Sequence, residues 1–466
     1  MNKRIGGVAV LVAGAVALTG CSTVSNVTNR INPFKKDEPQ EVAGDGRRIS
    51  IIAFDQKVEA AEGLKGVDFY LPPATPVAEW PQPGGAPDVK IDNVEAASAF
   101  EIAWKKGFGK GSNRHFHVTA PPVMAGGRVY VMDAESDVAA IDASTGQVIW
   151  KKSIHSRTKR DKRGFGGGVA FSGGKLYVAS GFRFVAQLDP ATGEVLWRKE
   201  TAAPIHGAPI VTHNRVFVVS TDNEMLTFDA ATGAPGWTYQ ALIEPARILS
   251  SPSPAAAGDT VIGAFASGEV VALRASNGND LWNNTLSRAS RTSALSEIRD
   301  VAGRPVIYEG DVYAASHSGV FAATDLRSGQ ARWSLPVASI TSPWAAGDVV
   351  YIVSQAGEVI CASRSSGQVY WIKDLNEGRH ADDGKKKKKG FLGIGRDENR
   401  ILYFGPVLAS DRLIVASSDG RAIALNPKTG EVQKTLNIGS PVLISPIAAG
   451  GMVYVVTDEA ELVAIR

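Results

Sequence analysis

GRVYVMDAESDVAAIDASTGQVIW, running from Gly127 to Trp150, decides the fold, because its parts return again and again until the C-terminus. It reads as an alternating strand carrying Val129 and Val131, a turn, a second strand ending at Ile141-Asp142, a Thr145-Gly146 turn and a third strand carrying Trp150. The step of four residues from turn glycine to tryptophan recurs at Gly193 and Trp197, Gly233 and Trp237, Gly278 and Trp282, Gly329 and Trp333, and Gly367 and Trp371. Each unit is a small antiparallel meander that cannot bury both its faces alone. Successive units must therefore stack into a continuous core, which makes a ring of sheets.

A seventh unit, LIVASSDGRAIALNPKTGEVQK, keeps the turn but places Lys434 where tryptophan is expected. An eighth, GMVYVVTDEAELVAIR, stops at Arg466 before any turn or tryptophan strand. The strand it lacks has a counterpart in AFEIAW, ending at Trp104 just before the first full unit. The expected fold is all-β: an eight-bladed β-propeller of four-stranded antiparallel blades over residues 97–466, closed by this N-terminal strand and without a free edge. One tryptophan per repeat reads as packing between blades, since a cofactor site used once per molecule needs only one or two aromatics. Asp142, Asp189, Asp229 and Asp325, each before a turn, read as residues that bond nearby backbone N–H groups.

Before the repeats the chain changes character several times. Lys3 and Arg4, an apolar run from Val8 to Leu18 and Leu18-Thr19-Gly20-Cys21 read as an export signal over residues 1–20, too short to span a bilayer comfortably. Leu-Thr-Gly-Cys resembles the lipobox of bacterial lipoproteins, in which the cysteine, here Cys21, becomes the acylated first residue. A plain secretory signal with an incidental Cys21 is the competing reading. Residues 21–47 are polar and aperiodic, a tether. Residues 48–96, with an apolar run from Ile49 to Phe54 and the proline-rich LPPATPVAEWPQPGG, read as an extended arm wrapping the main body. Lys plus Arg (50) nearly balance Asp plus Glu (47), and loss of Lys3 and Arg4 with the leader takes the difference from +3 to +1. Nothing in that balance points to nucleic acid.

Few other residues suggest chemistry. Cys361, in EVICAS, has no partner for an internal disulfide if Cys21 is acylated, and reads as a buried, inert thiol. His115 and His117 would share one face of a strand, but no third metal ligand is near. No nucleophile elbow accompanies the Ser, His and Asp residues. An insertion over about 376–400 carries Lys385 to Lys389, which reads as a solvated loop tip. Beside Phe391 and Leu392 it could also touch anionic lipid or an acidic partner surface.

The repeat "VYV…G…ALD..TG…W" looks like the β-propeller repeat of the pyrroloquinoline quinone (PQQ) enzymes, eight-bladed dehydrogenases that share a vicinal cysteine pair and inserted cofactor and calcium ligands. This chain has no adjacent cysteines. Over Ala97 to Arg466, together with its lipobox, it resembles the BamB family of outer-membrane β-barrel assembly lipoproteins. That resemblance implies a non-enzymatic scaffold that docks on the periplasmic POTRA domains of BamA among other assembly-complex subunits. It further implies lipid anchoring at the periplasmic face of the outer membrane, with Ser22 after Cys21 favouring that membrane, and no cofactor, metal or small-molecule substrate. The family's two docking loops fall on ARILSSPSP, offering Arg247, Ile248 and Leu249, and on SEIRDVAGRP, offering Asp300 with Glu297 and Arg299. Here the arginine does not follow the leucines, and Ala302 stands where a second carboxylate is usual. Ile248 and Leu249 could equally pack beneath their loop. A PQQ-dependent dehydrogenase-like or ligand-binding propeller is the alternative class. Labelling cells with a radioactive fatty acid should load the wild-type chain and leave Cys21→Ala unlabelled; equal incorporation would refute the lipobox reading.

Overall fold

Four strands, Val123–Ala125, Arg128–Met132, Val138–Asp142 and Val148–Lys152, hydrogen-bond in chain order to make the first blade. The computed structural model describes residues 58–85, 87, 90–154, 164–243, 252–286, 299–377 and 401–466. Blades two to seven repeat the same order over 167–200, 210–240, 255–285, 306–335, 344–374 and 403–437. First strands gather round the axis and are buried, while fourth strands such as Val432–Asn437 face outward. The middle strands carry the aliphatic and aromatic core that adjacent sheets share.

What joins one blade to the next is a single recurring contact. In blades one to six the tryptophan of the fourth strand donates its Nε1–H to a backbone carbonyl of the following blade: Trp150 to Pro190 (3.0 Å), Trp197 to Ala230 (3.1 Å), Trp237 to Ala275 (3.1 Å), Trp282 to Leu326 (2.8 Å), Trp333 to Arg364 (2.7 Å) and Trp371 to Pro427 (3.2 Å). Its ring packs on the turn glycine of that blade, from Gly193 for Trp150 to Gly430 for Trp371. A Cβ on any of these glycines would come within 2.6–2.8 Å of the ring. Those glycines also sit at φ near +70°, so both backbone conformation and ring contact exclude a side chain. The turn aspartates are architectural too. Asp142 Oδ1 accepts the N–H of Ser144 (3.0 Å) and Thr145 (2.8 Å), and these bonds, the Ser144 hydroxyl first, hold its carboxyl down at about 2.

Blade eight takes Ile447–Ala449, Met452–Val456 and Glu461–Ile465 from the end of the chain and Ile102–Gly107 from before blade one. Trp104 lies opposite Ala464, the register that Trp150 holds opposite Ala140, and packs on Gly146 of blade one. The ring therefore closes through the expected N-terminal strand, which continues past Trp104 to Gly107. Lys434 breaks the tryptophan series, and its Nζ reaches the carbonyl of Ala99 (3.0 Å).

Ahead of that strand, the described residues from 58 onward first meet the fourth strand of blade six at Val369 and then run across the turn side of the ring. Tyr70 bonds Asp348 of blade six (2.9 Å), and Trp80 exchanges two backbone bonds with Met124 of blade one (2.8 Å each). Pro81 accepts from Phe171 of blade two, and the buried amide of Gln82 both donates to and accepts from Val211 of blade three (3.0 and 2.8 Å). Lys90 pairs with Glu309 of blade five, Val94 bonds the chain around Leu408 and Ser410 of blade seven, and Val77 accepts from Gly450 of blade eight. This face of the ring is strapped. A chain beginning at Ser112 loses both the strap and the strand around Trp104, leaving Glu461–Ile465 as an exposed edge. It should aggregate or melt well below the full chain, whereas a monomer of unchanged melting temperature in size-exclusion and calorimetry would overturn the closure.

Candidate docking face

On the face opposite the strap, the chain crosses between blades and makes each blade's second-to-third-strand loop. The loop of blade four, Phe265 to Gly268, is tightened by Phe265 N–H to Glu269 O (3.0 Å) and Gly268 N–H to Phe265 O (3.1 Å). Chain leaving blade three enters on one side of it. The Leu242 N–H donates to the Glu269 carboxylate (2.7 Å), and the Leu242 carbonyl accepts from the Asn223 side chain (2.6 Å). Glu269 is itself buried and held by Ser267 Oγ (2.7 Å) and Asn283 Nδ2 (2.9 Å). The backbone of Leu242 is thus pinned at both polar groups while the side chains of Leu242 and Ile243 stand 66% and 78% exposed. Holding two aliphatic side chains in water on a fixed backbone runs against burial, which is the usual sign of a contact surface.

Chain entering blade five lies on the other side of the same loop. Val301 N–H donates to Phe265 O (3.3 Å), the Asp300 carbonyl accepts from His317 N–H (2.8 Å), and Arg299 packs against Gly268, where a Cβ would sit 3.1 Å from the Arg299 carbonyl. The chain that precedes the first expected docking loop and the described end of the second therefore meet at one blade-four loop. Arg247, Ile248, Leu249 and Glu297 lie outside the described residues, as do Cys21 and Lys385 to Lys389. Asp300 is described, and it is 1% exposed rather than the solvent-facing loop acid that its sequence context suggests. The backbone bonds on both sides draw it beneath the surface, so the outward groups there are its neighbours. Leu242 and Ile243 escaped the sequence reading. Their signal was an aliphatic pair placed directly after a strand whose alternation through Trp237 and Tyr239 had already ended.

His115 and His117 are exposed on a segment that is not a strand, and among the described residues no three His, Cys, Asp or Glu side chains are grouped to hold a metal. Cys361 is fully buried opposite Trp371, and burial pushes its thiol up, away from reactivity. Among the described residues no helix is long and apolar enough to cross a membrane.

Ring, tryptophan lock and closing strand define an eight-bladed propeller of the PQQ-like repeat class. A family model described as outer membrane protein assembly factor BamB matches residues 135–373 and 391–466, and one described as glucose/ethanol/alcohol dehydrogenase, beta-propeller domain, matches residues 87–172. The chain belongs to the outer membrane protein assembly factor BamB family. A relative of that name from Moranella endobia is 27% identical over 355 residues, covering 75% of this chain and 86% of its own. The solved structure of BamB from Moraxella catarrhalis superposes with a TM-score of 0.62 at 18% identity, covering 78% of this chain and 99% of its own. Quinohemoprotein alcohol dehydrogenase from Comamonas testosteroni superposes almost as well, with a TM-score of 0.61 at 14% identity over 84% of this chain and 81% of its own. At such identities the superpositions establish the fold alone.

Burial changes what truncation of Asp300 should do. Asp300→Ala is expected to lower stability by about 1–3 kcal/mol, since it removes a buried polar group from the join of blades four and five. A thermal melt unchanged from wild type would show that the carboxylate carries no part of that join.

Proposed function

We propose that this propeller is a non-enzymatic scaffold of the outer-membrane β-barrel assembly complex, docking through the rim around the blade-four loop onto the POTRA domains of BamA. The observation that carries the reading is the pinned Leu242-Ile243 ledge, which in sequence directly precedes the stretch carrying Arg247, Ile248 and Leu249 and lies across Gly268 from the chain that holds Asp300. Family membership supplies the setting, and an apolar anchor with charged neighbours is the usual composition of an interface hot spot. Lipid attachment at Cys21 would hold the propeller at the periplasmic face of the outer membrane. The dehydrogenase alternative needs adjacent cysteines, whereas Cys21 and Cys361 are remote in sequence and the latter is sealed in blade six.

The test is capture on immobilised POTRA domains alongside a thermal melt. Leu242→Ala with Ile243→Ala should weaken capture by about 2 kcal/mol or more, roughly thirtyfold, and leave the melt in place because both side chains already face water. Leu249→Ala with Arg247→Ala should weaken it further. Wild-type capture by both double variants would exclude this rim as the docking site.

A further inference from the structure

Along the ring axis lies a cavity of about 760 Å³, bounded below by the first strands and the chain entering them and covered by Trp80, Pro83, Gly84, Pro87, Lys90 and Ile91 of the strap. Its lining is mostly small or apolar, and three charged side chains reach it: Lys90, Glu309 and Arg304. Lys90 and Glu309 satisfy each other at 2.6 Å, and Glu309 also binds Arg364 at 2.7 Å. Arg304 has no such counterpart: among the described residues it makes neither an ion pair nor a hydrogen bond. Gly84 of the strap closes directly over its guanidinium, so that a Cβ at Gly84 would overlap it. Arg304 keeps some accessible surface, as a residue lining a cavity must, yet enough protein surrounds it that burial pulls the guanidinium down to about 10. A second donor shares the chamber in the same state. Trp80 is 3% exposed and stacked on Trp344 (6.0 Å between centroids, 14° between planes), and its Nε1–H has no acceptor among the described residues. The Trp344 Nε1–H, by contrast, is satisfied by the Asp92 carbonyl at 2.9 Å.

Buried donors without acceptors, one of them cationic, destabilise a fold unless something else completes them. A guanidinium fork matches a carboxylate bidentately, and one cation neutralises one carboxylate. A volume near 760 Å³ is that of a small-molecule site, and apolar walls with few polar groups are how such sites hold an organic body. We propose that the axial cavity is a binding site for a small organic carboxylate with an apolar or aromatic body, Arg304 taking the carboxylate and the Trp80–Trp344 pair contributing stacking surface and an indole N–H.

The site is independent of the docking rim, and its test uses the full chain with benzoate as probe, followed by isothermal titration and tryptophan fluorescence at constant ionic strength. Benzoate should bind wild type, alter its fluorescence and raise its melting temperature. Arg304→Gln should bind roughly tenfold or more weakly, melt at or above the unliganded wild type because a lone desolvated cation has gone, and keep full capture on POTRA domains. Trp80→Phe keeps the stack without the N–H and should bind more weakly than wild type. No heat and no spectral change with wild-type protein would overturn the proposal whether or not the variants fold. So would equal binding by Arg304→Gln, or tighter binding of phenyl phosphate than benzoate. Loss of POTRA capture by the rim variants with benzoate binding intact, or the reverse, separates the two readings.

Discussion

The lock between a tryptophan and the next blade's glycine is the contact on which the ring depends. In sequence the two residues stand four apart within one unit, yet in space each tryptophan meets the glycine of the following unit: Trp150 packs on Gly193, not on Gly146, which belongs to Trp104. The repeat thus encodes adjacency between blades rather than structure within one. Both partners are constrained for physical reasons. Glycine is required by a positive φ and by the indole lying where a Cβ would be, and the indole couples large apolar burial to one directional hydrogen bond. Removing such a ring would open a cavity costing about 3–5 kcal/mol at a seam that each blade shares with its neighbour.

The junctions next to the closing strand depart from this rule. Between blades seven and eight there is no glycine turn to receive an indole, because the third and fourth strands of blade eight are not joined by a turn: Glu101, ahead of the closing strand, and Arg466 exchange backbone bonds at 3.1 and 2.9 Å in its place. Lys434, long and flexible, reaches a carbonyl that an indole on this strand is not needed to fill. At the next junction the Tyr454 hydroxyl takes the Ala143 carbonyl (3.2 Å), and the buried Nε1 of Trp104 has no partner among the described residues. Elsewhere one carbonyl serves both groups, as Pro427 does for Tyr351 and Trp371. The strap compensates for a join with weaker side-chain chemistry by tying Val94 and Ala97 across blades seven and eight.

Most of this architecture was legible because it is local and repeated. Spacing gave blade number, the lone Trp104 strand gave closure, and each turn aspartate bonds residues two and three positions ahead, within reach of sequence reasoning. The candidate site was legible only in part. That Asp300 is buried depends on Phe265 and His317, which belong to neighbouring blades, and nothing beside Asp300 in the chain signals them. Leu242 and Ile243 read as the tail of a strand until the Asn223 and Glu269 bonds reveal that the backbone is held and the side chains are not. Gln82 meets Val211 across 129 residues, and Gly84 meets Arg304 across a still longer interval; no periodicity links them.

A closed propeller commits its strands to packing and leaves two places for anything else, the rims and the axis. In this chain the two places carry opposite chemistry. The rim offers aliphatic side chains on a pinned backbone, which suits a partner that brings its own apolar surface and excludes water from the contact. The axis offers a cation and an indole N–H beneath a cover, which suits an anion small enough to be enclosed and would repel a flat protein surface. The strap connects them only through the fold, since it lies on the face away from the rim, where it bonds blades one, two, three, five, six, seven and eight. Blade four is the blade whose loop organises the rim. Its neighbours are tied on the opposite face, so the ledge is held by its own local hydrogen bonds and can meet a partner without disturbing the cover over the axis.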